Sequence, residues 1–148
     1  MEKKKTYVLM LSQVFPKTHN KAGMPTEFKE KVLNKKKIHT IRANYPLWER
    51  RIKEVQEGRA VLVVRQWTGK PYCSKQVEIA RLTKEDGVGI QLLELTNDLS
   101  ECIVGDHRYS YVSVAKNDGL YPADWLDWFS CYDLSKPMAI INFTQFRY

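Results

Sequence analysis

The stretch from Ala60 to Leu82 constrains the fold more than any other. "AVLVVRQW" (60–67) is a run of apolar and β-branched residues that reads as a strand. "KQVEIARL" (75–82) alternates with period two: Val77, Ile79 and Arg81 on one face, Glu78, Ala80 and Leu82 on the other. Only "TGKPYCS" separates them. A parallel crossover needs about a dozen residues or more. The two strands must therefore be antiparallel neighbours, and the protein must contain a sheet.

The flanking segments extend this reading. "YVLMLS" (7–12) is a short apolar run expected as a buried strand. Residues 13–25 carry Pro16, Gly23 and Pro25 and read as a long loop, a length often put to functional use. Thr26 is expected to cap a helix that begins at Glu27 and turns Phe28, Val32 and Leu33 inward. Asn34 is expected to end it in the left-handed conformation. A second helix is predicted over 47–57, with Leu47, Ile52 and Val55 inward and Gly58 closing it. "VGIQLLEL" (88–95) and "YSYVSVA" (109–115) read as strands, "PADWLDWFSCY" (122–132) as a helix opened by Pro122, and "MAIINFTQF" (138–146) as a closing strand. Trp125 and Phe129 are assigned to the core, and Trp48 to packing. No repeat or linker interrupts the chain, so residues 1–148 are read as one domain. The expectation is an α+β fold: a small mixed β-barrel of about five or six strands with two or three short helices.

Charge narrows the function. The net charge is +7, unevenly placed. Residues 1–53 hold 14 Lys and Arg against 4 Asp and Glu, whereas residues 54–148 hold 10 against 13. Such a skew suits a basic face and an anionic partner, with nucleic acid ahead of a membrane surface. No apolar run approaches transmembrane length, and the apolar stretch 7–11 is too short for a signal peptide. Cys73, Cys102 and Cys131 are odd in number and widely spaced, and they form no CxxC pair. A cytoplasmic protein with reduced thiols is expected. His19, His39 and His107 have no ligand spacing, so neither metal nor cofactor is expected. "DGVG" (86–89) lacks the Gly-Lys-Ser/Thr ending of a P-loop.

One stretch carries chemistry: "NKKKIHTIR" (34–42). Lysines near a helix C-terminus complement its dipole, and "IHTIR" alone would pass for an edge strand. Yet Ile38 and Ile41 are three apart, which breaks strict alternation. Thr40 and Arg42 share a face, and Lys37 can reach it from the preceding turn. An ammonium, a hydroxyl and a guanidinium converging on one spot make an anion or nucleotide cradle. His39 is expected to point away from Thr40.

Lys37-x-x-Thr40-x-Arg42 after a short helix resembles the Gly-x-Lys-x-x-Thr-x-Arg motif of the ASCH family. "NDGLYPADWLDWF" (117–129) is similar to that family's acidic-Gly-aromatic segment leading into a helix. The order of helix, motif, strand pair, acidic segment, helix and last strand also agrees. The resemblance implies a PUA-like β-barrel that binds RNA or a nucleotide-derived ligand. In the family's acetylcytidine amidohydrolase branch a Lys, a Thr and a Glu hydrolyse an amide on a modified cytidine. By position these are Lys37, Thr40 and Asp118. The family's Gly falls at Lys35, and Asp118 is one methylene shorter than Glu. As cleft residues, Lys37 and Thr40 are expected to be replaceable with little loss of stability.

Other side chains could hold such a ligand. Lys17, His19 and Lys21 lie in the 13–25 loop, and Lys36 adjoins the motif. Arg65, Trp67, Lys70 and Tyr72 surround the "TGKP" turn, where aromatics interleaved with cations can stack bases and hold phosphates. The reading is therefore an RNA- or nucleotide-binding domain. An amidohydrolase on an acylated nucleoside and a protein-interaction module are the alternatives.

Overall fold

The structure is a computed structural model, and it describes residues 4–148. Eight strands form two sheets, and four α-helices connect them. The first sheet has three strands. β1 (Lys5–Leu11) runs parallel to β3 (Ala60–Trp67), and β4 (Gln76–Leu82) pairs antiparallel with β3, as its short connection requires. The register runs from Leu62 opposite Leu82 to Trp67 opposite Gln76, with a bulge between Val64 and Arg65.

The crossover from β1 to β3 contains α1 (Phe28–Leu33), β2 (His39–Arg42) and α2 (Tyr45–Gln56). β2 leaves the first sheet and joins the second. That sheet has the order β2, β8 (Met138–Asn142), β5 (Gly89–Leu95), β6 (Glu101–Val104), β7 (His107–Ser110), all antiparallel. β8 lies between β2 and β5, and all five of its residues are buried. A strand covered on both faces reads as a continuous apolar run, which explains "MAIIN". α3 (Tyr111–Asn117) and α4 (Pro122–Phe129) follow β7. All the buried apolar side chains but Val61 and Val63 form one cluster, with Ile52, Leu62, Leu93, Trp125 and Ile140 among its most enclosed members.

Four expectations are corrected. The sheets do not close into a barrel: they are separate ladders of three and five strands. Among the described residues the strands number eight and the α-helices four, because β2, β6, β7 and α3 are only four to seven residues long and carry little periodicity. "YSYVSVA" is not a strand. Ser110 accepts a hydrogen bond from the Val112 N–H at 3.2 Å and starts α3, which buries Val114 and Ala115 and leaves Val112 outside. Finally, Lys35 rather than Asn34 takes the left-handed conformation after α1, at φ 61° against −91° for Asn34. Glu27 also precedes α1 at φ 62°, while the Thr26 hydroxyl accepts from the Phe28 N–H at 3.4 Å and donates to the Ser12 carbonyl at 2.7 Å. The second helix begins at Tyr45, with Asn44 as its cap and Pro46 in its first turn.

Candidate functional site: a buried lysine–aspartate pair beside a small cavity

The ends of α1 and α3 meet here. The left-handed Lys35 turns the chain sharply, so that the Lys36 and Lys37 N–H groups both donate to the Lys31 carbonyl, at 2.8 and 3.0 Å. From the other side α3 stops at Asp118. The Gly119 N–H donates to the Lys116 carbonyl at 3.1 Å and the Leu120 N–H to the Ala115 carbonyl at 3.0 Å, a Schellman ending. This ending needs glycine twice over. Gly119 has φ +81°, and a Cβ there would fall 2.9 Å from the Cβ of Lys37. Lys37 and Asp118 then form an isolated antiparallel bridge, and the Ile38 N–H donates to the Asn117 carbonyl at 2.9 Å.

This backbone clamp sets the side chains. Lys37 Nζ donates to Asp118 Oδ1 at 2.8 Å and to the Asp118 carbonyl at 2.7 Å, and it lies 4.2 Å from the centre of the Phe28 ring. Only 2% of Lys37 is exposed. Burial holds its pKa below the usual lysine range, although Asp118 works to raise it. For Asp118 burial opposes ionisation, but the Lys37 charge together with His39 and Lys37 hydrogen bonding holds the carboxyl below its ordinary range. The pair is thus an ion pair made inside the protein. Losing one partner of such a pair strands the other charge.

His39 also belongs to the cluster. Its ring is fully enclosed, with Nδ1 3.5 Å from Asp118 Oδ1 and Nε2 2.7 Å from the Tyr148 hydroxyl. Burial keeps its pKa below the ordinary histidine value despite the nearby carboxylate. The Tyr148 hydroxyl accepts from Asn117 Nδ2 at 3.0 Å. His39 does point to the opposite face from Thr40, but that face is where part of the polar cluster sits.

On the Thr40 side a cavity of about 180 Å³ opens, lined by Ser12, Thr40, Ile41, Arg42, Ala43, Asp118, Trp128, Phe129 and Tyr132. Arg42 Nη2 donates to the Met10 carbonyl, while its buried Nε has no partner. Burial draws the guanidinium below its usual range, and an arginine stays charged even so. The motif residues Thr40 and Arg42 and the distant Asp118 therefore line one cavity, together with the aromatic residues Trp128, Phe129 and Tyr132. Lys37 stands behind Asp118 and does not line the cavity.

Comparison with known protein families, curated proteins and solved structures returns no match to this chain.

The remaining candidate residues divide into two groups. Those of the 13–25 loop are mostly committed to α4. His19, 4% exposed, has Nε2 2.9 Å from the Asp124 carbonyl, and its Nδ1 accepts from the Lys21 N–H at 3.0 Å. Lys21 Nζ pairs with Asp124 Oδ2 at 2.8 Å. The expectation that His19 meets a ligand is corrected: its ring is spent in packing the loop on α4, where Phe15 and Trp128 also meet, 5.7 Å apart. Lys17 and Lys36 are exposed. The second group occupies the β3–β4 turn. Arg65 and Trp67 are half-buried, Lys70 is exposed, and Tyr72 is 90% exposed, its ring 5.3 Å from that of Trp67. These residues do not line the cavity, but Gln13 Nε2 donates to the Thr68 carbonyl at 3.4 Å, which ties the turn to the residue after Ser12.

Sequence reasoning missed Tyr148, whose only link to the motif is tertiary, and gave no site role to His39 and Asn117, which lie within the matched segments. It also missed Trp128 and Tyr132. Their signal was present: neither belongs to the inward stripe of Trp125 and Phe129, which left two aromatics without an assigned core role.

No helix of the described residues is long and apolar enough to cross a membrane. All three cysteines are free, and burial pushes the Cys102 thiol up to about 12. The described residues contain no group of three or more His, Cys, Asp or Glu suited to a metal ion.

Proposed function

We propose that the chain is an ASCH-like, PUA-like domain that binds RNA or a nucleotide-derived ligand, seating one base-sized group in the Thr40–Arg42–Asp118 cavity. A single observation carries this reading. Three residues drawn from both halves of the motif resemblance line one cavity together with Trp128, Phe129 and Tyr132. Aromatic faces with a few fixed polar groups are what a base requires. A volume of about 180 Å³ is below the roughly 300–1,000 Å³ of pockets for whole small molecules, so the rest of the ligand must lie outside. Exposed Lys17, Lys36 and Lys70 can neutralise phosphates there, and Tyr72 with Trp67 can stack a neighbouring base.

The test is a titration of labelled oligouridylate at several salt concentrations. Each phosphate contact with a single strand contributes about 0.7 to the log–log slope, so a slope of a few units is expected. Failure to bind at low salt, or a flat slope, overturns the reading. Salt-insensitive binding to an apolar protein surface would favour an interaction module instead.

The bonded Lys37–Asp118 pair beside Thr40 favours one second reading, an amidohydrolase on an acylated nucleoside. A threonine hydroxyl needs a base. Burial moves Lys37 in the required direction, but Asp118 holds the proton on it. Incubation with acetylcytidine decides this: release of acetate that Thr40→Val abolishes is the expected result, and no turnover leaves binding alone.

A further inference from the structure

The polar groups behind the cavity form a directed chain. Asn117 Nδ2 can only donate, and it donates to the Tyr148 oxygen at 3.0 Å. The Tyr148 hydroxyl then has one proton to give, and His39 Nε2 lies 2.7 Å away. His39 Nδ1 faces Asp118 Oδ1 at 3.5 Å, an electrostatic contact rather than a formed hydrogen bond, and has no other partner. Two tautomers are open to a neutral imidazole. If Nε2 carried the proton, the bare Nδ1 lone pair would face a carboxylate. If Nδ1 carries it, every contact joins a donor to an acceptor: Asn117 to Tyr148, Tyr148 to His39, His39 towards Asp118. The tautomer of a histidine is set by the bond its other nitrogen makes, and here that bond comes from Tyr148.

We propose that Tyr148 and His39 are positioning residues: Tyr148 fixes the Nδ1–H form of His39, and that N–H, with Lys37, turns Oδ1 of Asp118 inward and leaves its second oxygen as the acceptor presented to the cavity. Tyr148 reaches this place because its own backbone is held. Its N–H donates to Gln91 Oε1 at 3.0 Å, and its carbonyl accepts from Gln91 Nε2 at 3.2 Å. Tyr109 packs edge-on against its ring at 5.2 Å. The titratable groups facing the chain are Lys37 before β2, Arg42 on β2, Cys102 on β6 and Tyr109 on β7. Of these, only Lys37 contacts Asp118 Oδ1.

The tautomer is measured without any ligand, so it stands or falls apart from the RNA reading. In the full chain labelled with ¹⁵N-histidine, long-range ¹H–¹⁵N spectra at neutral pH should show His39 as the Nδ1–H form, the minority tautomer of free histidine. Finding Nε2–H or an imidazolium overturns the proposal. Tyr148→Phe removes the proton donor, so Nε2–H should become populated; a folded Tyr148→Phe protein whose His39 stays Nδ1–H also overturns it. A functional arm rests on the proposed binding of RNA and uses the labelled oligouridylate. An asparagine amide nitrogen can stand where Nδ1 stands, so His39→Asn should bind within about twofold of wild type. His39→Leu, of similar bulk but with no donor, should bind about tenfold more weakly. Wild-type binding by His39→Leu would mean that His39 only fills space, and a loss in His39→Asn as large as in His39→Leu would show that a donor at Nδ1 is not what matters; either overturns the positioning role.

Discussion

The lysines at 35–37 and the lysine at 70 sit in regions of opposite construction. Around Lys37 the ammonium has been taken from water and given protein partners, the Asp118 carboxylate at 2.8 Å and the Asp118 carbonyl at 2.7 Å, held there by two chain turns. Around Lys70 the chain is a surface turn, closed by its own bonds from Thr68 to Lys75 at 2.8 Å and from Ser74 to Lys70 at 2.9 Å. Both regions are basic, and the proposed binding draws on both. They differ in what else depends on them. A charge buried with its partner belongs to the folding equilibrium, whereas an exposed one belongs to binding alone.

The largest expected effect breaks the buried side. Asp118→Ala leaves Lys37 enclosed without a counter-charge and should cost about 3–5 kcal/mol, read from urea denaturation. Lys37→Ala should cost a comparable amount. This corrects the expectation that Lys37 can be removed without loss, because a residue 2% exposed and ion-paired is part of the core. Wild-type stability in either variant would collapse the distinction between the two regions.

Next comes Gly119→Ala, which should cost about 2 kcal/mol or more. It combines a left-handed backbone with a contact on Lys37, and strain alone accounts for roughly 1–2 kcal/mol. Gly105, also left-handed but with open space around its Cβ position, is the control and should cost less when changed to Ala.

Acid should separate the regions without mutation. Asp118 and His39 both have folded-state pKa values below their unfolded ones, so the unfolded chain binds more protons and stability rises with pH. The His39 contribution is present above about 6.5 and is lost as pH falls below it, and the Asp118 contribution is lost below about 4. Urea midpoints measured from neutral pH downward should fall in these two steps. Asp118→Asn should shrink the lower one, to which Asp98, Asp133, Glu54 and Glu85, also held below their ordinary range by hydrogen bonds, contribute as well.

The smallest effect on stability is expected at the turn. Tyr72→Ala and Lys70→Ala should stay within about 0.5 kcal/mol of wild type in denaturation. Tyr72→Ala should nonetheless weaken oligouridylate binding by about 1–3 kcal/mol if its ring stacks a base. A stability loss as large as that of Asp118→Ala would erase the contrast.

How much of this was readable follows the range of the interactions. The β3–β4 pairing was legible because a short connection and an alternating face decide it locally. α4 was legible from Pro122 and the Trp125–Phe129 stripe. α3 was not, since Val112 and Val114 have strand-like branching, and the deciding signal was a single cap at Ser110. Lys37, Thr40 and Arg42 were nominated from the shared strand face and Asp118 from the motif resemblance, and the structure places Thr40, Arg42 and Asp118 on one cavity with Lys37 bonded behind. His39 escaped because face alternation turned it away from Thr40, and nothing local says that Tyr148 waits on that other face. Closure into a barrel was over-read: strand count and alternation do not reveal whether two ladders join.

The excursion of β2 has one more consequence. A cut within residues 68–75 would leave β1, β2 and β3 on one fragment and β4 to β8 on the other. Each fragment would then own strands of both sheets, and neither could complete the three-stranded one. Reassembly would require β1–β3 to receive β4 while β2 docks beside β8, and Lys37 and Asp118 would meet across the cut. The two halves of the chain are therefore interlocked rather than stacked, and the ion pair becomes the rivet between them.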